Sequence, residues 1–132
     1  MPYFYLIIIA VILIFGICML FWISRKKKIS TNEEAFIRNQ WHLIQSGENS
    51  KNAILEADKL LDFALDKLGF QGSLGEKLKK SGPRFSNLNN VWSAHKLRNR
   101  LAHELNFKPN NNEMQRALSN FRKALCDLKI QL

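Results

Sequence analysis

Hydrophobic residues follow two different patterns along this chain. From Pro2 to Ser24 they form a run of 23 residues without one charged side chain. Beyond residue 32 they recur every three or four positions, the period of a helix with one buried face. No stretch alternates with period two for long enough to form a strand. The pattern predicts an apolar helix over residues 2–24, a basic linker over 25–31 and an all-α domain over 32–132.

The apolar run is long enough to cross a membrane as a single helix. At about 1.5 Å per residue it spans the roughly 30 Å hydrocarbon core of a bilayer. A cleaved signal peptide would need a basic segment before the run, a shorter run and a small-residue cleavage site after it. None of these is present, and aromatic residues flank the run at both ends (Tyr3, Phe4, Tyr5, Phe21 and Trp22), as at the two headgroup layers.

Basic residues flank only one end of the run. Arg25, Lys26, Lys27 and Lys28 follow it, and no basic side chain precedes it. Because basic residues stay on the cytoplasmic side of a membrane, we expect a single-pass protein with its N-terminus outside and its C-terminal domain in the cytoplasm.

The rest of the chain carries start and stop signals for helices. Ser30 with Glu33 and Thr31 with Glu34 both fit a capping box. The first predicted helix ends near Gly47, and the second is capped by Ser50 and ends at Gly69. A short third helix covers LGEKLKK after Ser73. The fourth is opened by Ser86 or Asn87 and runs to about Asn106, and the fifth is capped by Asn110. Their short connections predict a four- to five-helix antiparallel bundle.

Apolar stripes indicate which helix faces are buried. The predicted core contains Phe36, Ile37, Trp41, Leu43 and Ile44; Ala53, Ala57, Leu60, Leu61, Ala64 and Leu68; Val91, Ala94, Leu97, Leu101, Ala102 and Leu105; and Met114, Ala117, Leu118, Phe121, Ala124, Leu125 and Leu128. A bundle of this size buries a modest core, and dimerisation would add to its stability.

Charge and cysteine content narrow the function only slightly. The net charge is +9, from 20 Lys and Arg against 11 Asp and Glu, and removing the four linker cations leaves +5 for the domain. That excess suits a neighbouring anionic membrane or nucleic acid and is diagnostic of neither. Cys18 and Cys126 are far apart, so we expect no disulfide and no metal site. No phosphate-binding or cofactor motif is present, and we expect no cofactor.

One arginine lies inside a predicted core stripe. Arg98 is adjacent to Val91 and Leu105 on the helical wheel, and a buried guanidinium needs an acidic partner. Glu56, at the edge of the stripe on the second bundle helix, is the candidate partner. Trp92, Lys96, Asn99 and His103 fall on an adjoining flank, where Asn99 and His103 are four residues apart and able to meet.

The stretch Arg98-Asn99-Arg100-Leu101-Ala102-His103 resembles the Arg-polar-three-residue-His motif of HEPN domains. The chain is also similar to small, mostly uncharacterised bacterial membrane proteins with an AHKLRNRLAHE segment. The resemblance implies an all-α bundle in which Arg and His from two subunits meet at a dimer interface and cleave RNA without metal. Arg98 would then hold the scissile phosphate, His103 would act as general acid or base, and Asn99 would orient the site. Many HEPN-like domains instead serve only as dimerisation or binding modules.

Two functions follow from these observations. The first is a membrane-anchored helical interaction module that forms a homodimer, or binds another protein, through the helix of Arg98 and His103. The second is a membrane-tethered, metal-independent endoribonuclease, for which Trp92, Lys96 and Arg100 would begin a basic, aromatic RNA-binding surface. In the first case Arg98 only fixes helix register and His103 is an ordinary surface residue.

Overall fold

A computed structural model describes residues 1–23, 27–47 and 51–132. Within these residues the chain is all-helical: α1 Pro2–Ile23, α2 Thr31–Ser46, α3 Lys51–Lys67, α4 Leu74–Ser81, a 3-10 turn at Gly82–Arg84, α5 Leu88–His103 and α6 Asn111–Asp127. No strand occurs among them, which confirms the all-α prediction. The predicted Ser50 cap, the cations Arg25 and Lys26, and the side chain of Trp22 lie outside the described residues.

The first helix is separate from the core of the protein. Its apolar span Tyr3–Phe21 is long enough to cross a membrane, and no part of it is buried in the rest of the chain. A helix whose whole circumference is apolar and exposed would be unstable in water. Its exposure therefore agrees with a bilayer as its solvent.

Helix α2 begins as its sequence predicts. The Ser30 side chain accepts from the Glu33 backbone N–H, and the Glu33 carboxylate accepts from the Ser30 N–H. These bonds, chiefly the one from the Ser30 backbone, hold the pKa of Glu33 below its usual 4.5. The prediction for the buried face is only partly right, because Ile37 and Trp41 are buried whereas Phe36 and Leu43 are 47% and 64% exposed.

Helix α3 is the central element of the bundle and contacts α2, α4, α5 and α6. All six of its predicted core residues are buried, from Ala53 to Leu68. The stripe is wider than predicted, since Ile54, Asp58 and Leu65 are buried as well. Because α3 is surrounded on several sides, it needs this broad buried surface. One of the buried residues, Asp58, is acidic.

A buried lysine attaches the short helix α4 to α3. The helix begins after Ser73, as predicted, and Ser73 and Glu76 form a capping box. Lys77 reaches from the helix to Asp62 and Asp66, with Nζ–Oδ1 distances of 2.7 and 2.6 Å. Burial lowers the pKa of Lys77, but the hydrogen bonds to the two carboxylates outweigh it and raise the pKa above its usual 10.5. This pairing therefore stabilises the fold fully at neutral pH, and the stability that comes from the raised pKa of Lys77 is lost as alkaline pH deprotonates the ammonium.

Helix α5 ends earlier than predicted. Asn87 is its N-cap, but its last residue is His103 rather than Asn106, which has a φ of 61°. Asn tolerates this left-handed conformation, and it turns the chain away from the helix. The prediction was wrong for two core positions: Leu105 lies beyond the helix and is 95% exposed, and Ala102 is exposed.

Helix α6 closes the core against α3 and α5. Asn110 and Glu113 form its capping box, as the cap at Asn110 predicted. Phe121 and Leu125 are fully buried, and Ala117, Ala124 and Leu128 are nearly so. Met114 and Leu118 are half-buried at the edge of the same stripe. The predicted core face of this helix is therefore correct.

Helices α3 and α6 end in the same backbone motif with different residues. After α3, Gly69 N–H donates to Asp66 and Phe70 N–H to Leu65; after α6, Lys129 N–H donates to Cys126 and Ile130 N–H to Leu125. These paired bonds define a Schellman motif, which requires a left-handed residue at its turn. Gly69 adopts a φ of 91° without strain, whereas Lys129 is a non-glycine residue at 69°.

We expect Lys129→Gly to raise the free energy of unfolding by about 1 kcal/mol, because glycine removes the strain of a left-handed side-chain-bearing residue. Chemical denaturation of the full chain in mild detergent measures the change. The matched variant Gly69→Ala introduces the same strain at the end of α3 and should lower stability by a similar amount. A loss of stability on Lys129→Gly would show that the lysine side chain contributes more than the strain costs.

Candidate functional site

Three polar side chains of α5 face a buried carboxylate of α3. His95, Arg98 and Asn99 are related by i, i+3 and i+4 spacing, so they share one face of the helix. Asp58 lies opposite them in the core stripe of α3 and is only 4% exposed. A buried carboxylate is stable only when it is paired and hydrogen-bonded, and these side chains supply both interactions.

The four side chains form a closed ring of contacts. His95 Nδ1 lies 2.7 Å from Asp58 Oδ1, and Arg98 Nε lies 3.2 Å from Asp58 Oδ2. Arg98 Nη1 donates to Asn99 Oδ1 at 3.1 Å, and the Asn99 amide nitrogen lies 3.3 Å from His95 Nε2. We call these four residues the Asp58 cluster. Each member contacts two others, so the cluster fixes the position of α5 on α3.

Both ring nitrogens of the histidine have partners in the cluster. His95 Nδ1 contacts the Asp58 carboxylate, and Nε2 contacts the Asn99 amide nitrogen. Because a guanidinium only donates hydrogen bonds, the Asn99 oxygen faces Arg98 and its amide nitrogen faces His95. The ring of His95 is therefore held by a neighbour on each side.

The structure corrects the predicted partner of Arg98. Glu56 is exposed and pairs with Lys59 on its own helix, with a 2.8 Å contact from Nζ to Oε1, whereas Asp58 is the acid beside Arg98. The Arg98 side chain is 26% exposed and therefore lies at the edge of the core. Its Nε–H is directed at no hydrogen-bond acceptor within the described residues, so its contact with Asp58 is ionic.

His103 is not part of the cluster. It lies five residues beyond Arg98, a rotation of about 140° around the helix axis, and it is exposed at the end of α5. In the part of the chain that the structure describes, no side chain hydrogen-bonds its ring, and Asn99 contacts His95 instead of the predicted His103. Within one chain the structure therefore does not bring together Arg98, Asn99 and His103.

The three predicted RNA-binding residues occupy different environments. Trp92 is half-buried, and its ring packs edge-on against His95 with 5.9 Å between ring centroids. Lys96 is exposed and shares with Arg100 the wall of a shallow depression of about 350 Å³ between α5 and α6. Arg100 is already engaged: its Nε donates to the Glu104 carboxylate, and its guanidinium lies 3.8 Å from the Phe107 ring centroid. Lys96 also lines a second depression together with Trp92, so the three residues adjoin along α5, but the contacts of Arg100 with Glu104 and Phe107 occupy its guanidinium.

A second feature is an open apolar groove between α2 and α3. Its volume is about 460 Å³, and it is lined by Phe36, Gln40, Leu43, Ile44, Gly47, Asn52, Ala53, Glu56, Lys59, Leu60 and Phe63. We call it the α2–α3 groove. The exposed ring of Phe36 packs against Phe63 with 5.2 Å between centroids, and both rings line the groove. Exposed apolar side chains grouped in one concavity are typical of an interaction surface.

The sequence contains signals for Asp58 and His95 that the sequence analysis did not use. Asp58 is three residues before Leu61 and four after Ile54, so it falls within the strongest apolar stripe of the chain. His95 precedes Arg98 by three residues and Asn99 by four. An acid inside a core stripe, facing a helix with a basic and a polar residue at this spacing, indicates a buried cluster.

Comparison of this chain with family models, curated proteins and solved structures gives no match. Within the described residues no three His, Cys, Asp or Glu side chains are grouped so that they could hold a metal ion. Cys18 and Cys126 are both free, one in α1 and the other in α6.

Proposed function

We propose that this protein is a membrane-anchored, HEPN-like helical interaction module that forms a homodimer through the α2–α3 groove. The observation that carries the proposal is the groove itself, with Phe36 and Leu43 exposed beside it. The contacts of Arg98 favour an interaction module over an enzyme, because Asp58 and Asn99 engage its guanidinium. An arginine held by these two residues stabilises the bundle.

The chemistry of the groove fits a second copy of the same chain. In a two-fold dimer the same surface faces itself, so each protruding side chain needs a depression on that surface. Phe36 and Leu43 are exposed at the groove, which supplies the depression. Glu56 and Lys59 lie together on its wall, and a two-fold axis that passes between them would bring Glu56 of one copy to Lys59 of the other.

The apolar helix and the cations after it support a position at the cytoplasmic face of a membrane. Four basic residues follow the helix from Arg25 to Lys28, and such clusters remain on the cytoplasmic side. An anchor confines all copies of the domain to one surface and raises their effective concentration. A groove of modest size is then sufficient for dimerisation.

We expect the full chain in mild detergent to be a dimer and Leu43→Glu to make it monomeric, because a carboxylate in the groove would be buried without a partner. Native mass spectrometry measures the stoichiometry. Leu105→Glu is the matched control, since Leu105 is also an exposed leucine but lies outside the groove. A monomeric wild-type chain, a dimeric Leu43→Glu variant or a monomeric Leu105→Glu variant would each contradict the proposal.

The second candidate is a metal-independent endoribonuclease that uses Arg98 and His103 across a dimer interface. The exposure of the His103 ring, which has no partner within the described residues, supports this candidate because a general acid or base must be accessible. If this candidate is right, the full chain should cut RNA in the presence of a chelator. His103→Ala should abolish the cutting. His42→Ala, which removes another exposed histidine of α2, should leave such cutting intact.

A further inference from the structure

Four cations line one cavity of the bundle, and two of them belong to the segment that follows α1 in the sequence. The cavity measures about 330 Å³, and Lys27, Lys28, Arg84 and Lys129 line it together with apolar residues that include Ile29 and Leu68. We call it the juxtamembrane cavity. Its cations come from three distant parts of the sequence: the segment before α2, the 3-10 turn after α4 and the end of α6. The fold therefore adds positive charge to that of the linker.

The positive charge of the cavity is not neutralised from within. Its one acidic residue, Glu34, pairs with Arg38 at 3.2 Å and accepts from the Gln131 backbone N–H at 3.0 Å. Over the described ranges 27–47 and 51–132, no carboxylate lies within ion-pair distance of the four cations. Arg84 lies over the Phe70 ring, 5.4 Å from its centroid, which leaves its charge uncompensated. An anion would meet four unpaired cations here.

The backbone at Lys129 is a second, independent observation. This residue occupies the left-handed position of a Schellman motif, where the equivalent residue after α3 is Gly69. A strained non-glycine residue indicates that its side chain serves a purpose. Here that side chain is exposed and lines the cavity. The strain thus keeps a lysine at a position where glycine would be easier to accommodate.

The cavity lies within reach of a bilayer that α1 would cross. Lys27 follows Ile23, the last residue of α1, by four residues, and a chain extends at most about 3.5 Å per residue. Lys27 is therefore no more than about 14 Å from the end of the helix. The headgroup layer begins where the hydrocarbon core ends, so the cations of the cavity can meet lipid phosphates.

We propose that the juxtamembrane cavity binds the headgroup of an anionic phospholipid, with its phosphate paired to Lys27, Lys28, Arg84 and Lys129. The inference rests on the proposed membrane anchor. The shared chemistry is a phosphate oxyanion, which a lipid or free inorganic phosphate could supply. The apolar part of the wall decides in favour of the lipid, because Ile29 and Leu68 can contact the glycerol and upper acyl carbons but offer nothing to inorganic phosphate.

The test uses the full chain released from nanodiscs that contain phosphatidylcholine and phosphatidylglycerol in equal amounts, with bound lipids counted by native mass spectrometry. We expect the wild-type chain to retain phosphatidylglycerol preferentially. The double variant Arg84→Gln, Lys129→Gly should retain phosphatidylglycerol roughly thirtyfold less well, the effect of removing two cations near a lipid surface at about 1 kcal/mol each. Lys108→Gln, Lys123→Gln removes the same charge at exposed positions outside the cavity and should retain the lipid as the wild type does.

Three results would overturn the lipid site: equal losses in the two double variants, retention of phosphatidylcholine as strong as that of phosphatidylglycerol, or displacement of the lipid by millimolar inorganic phosphate. Circular dichroism checks that the variants fold. Lys129→Gly is compatible with the fold because it relieves backbone strain. A chain that enters nanodiscs but shows no lipid preference contradicts only the proposed lipid site, and the membrane anchor stands. A chain that does not enter them contradicts the membrane anchor, and the lipid site with it.

Discussion

Phe121→Ala is expected to lower the free energy of unfolding by about 3 to 5 kcal/mol, the range for removing a fully buried aromatic ring. Phe121 is 0% exposed and lies on α6, which packs on both α3 and α5. Loss of the ring leaves a cavity between three helices that cannot close without moving one of them. Denaturation of the full chain in mild detergent, followed by tryptophan fluorescence, measures the change, since Trp41 is buried in the core.

Phe36→Ala is the matched control for the core prediction. Phe36 is the same residue type, but its ring is about half exposed at the α2–α3 groove. In the monomeric Leu43→Glu background its removal should cost less than about 1.5 kcal/mol, because less apolar surface returns to water. Equal costs for the two variants, or a small cost for Phe121→Ala, would contradict the assignment of α6 to the core.

Arg98→Ala is expected to cost about 2 to 4 kcal/mol, because it removes the cationic partner of a buried carboxylate. Because the Arg98 side chain is 26% exposed, we expect a cost toward the lower end of that range. His103→Ala should change stability by less than about 0.5 kcal/mol, since the ring is exposed. The two residues of the Arg-Asn-x-x-x-His motif thus have different physical roles in the folded chain.

Double-mutant cycles identify the partner of Arg98. Arg98→Ala combined with Asp58→Ala should show a coupling energy of about 1 to 3 kcal/mol, as expected for side chains in one buried network. Arg98→Ala combined with Glu56→Ala should be additive, because Glu56 pairs with Lys59 instead. Additivity with Asp58 or coupling with Glu56 would show that the Asp58 cluster is assigned incorrectly.

The helix starts were predictable because their determinants are local. In each capping box, two residues three positions apart satisfy each other's backbone N–H groups, and the structure contains these boxes at Ser30, Ser73 and Asn110. The buried stripes of α3 and α6 were equally predictable from the sequence, since the spacing of apolar residues indicates which helix face is buried.

The partner of Arg98 was not predictable, because it depends on how two helices are rotated against each other. Glu56 and Asp58 are two residues apart, which separates them by about 200° around the axis of α3. The sequence contains both acids but not the rotation that brings Asp58 to α5. The Lys77 contacts with Asp62 and Asp66 were missed for the same reason.

The end of α5 and the exposed part of α2 were mispredicted for a different reason. Apolar residues continue the helical pattern to Leu105, but the chain turns at Asn106, and the contacts of Arg100 with Glu104 and Phe107 lie beyond the helix end. Phe36 and Leu43 follow the same period as Ile37 and Trp41, yet α3 covers them only in part, Phe36 through its contact with Phe63. Periodicity identifies apolar faces but does not show whether each face has a partner.

Cross-linking in isolated membranes tests the proposed dimer most directly. A single cysteine is introduced at Gln40, which lines the α2–α3 groove, or at Gln115, an exposed glutamine of α6 outside it, in a chain with Cys18 and Cys126 replaced by alanine. After treatment with a membrane-permeable bismaleimide, Gln40→Cys should give a covalent dimer that disappears when Leu43→Glu is added, and Gln115→Cys should remain monomeric. Cross-linking at Gln115 but not at Gln40 would contradict self-association through the groove.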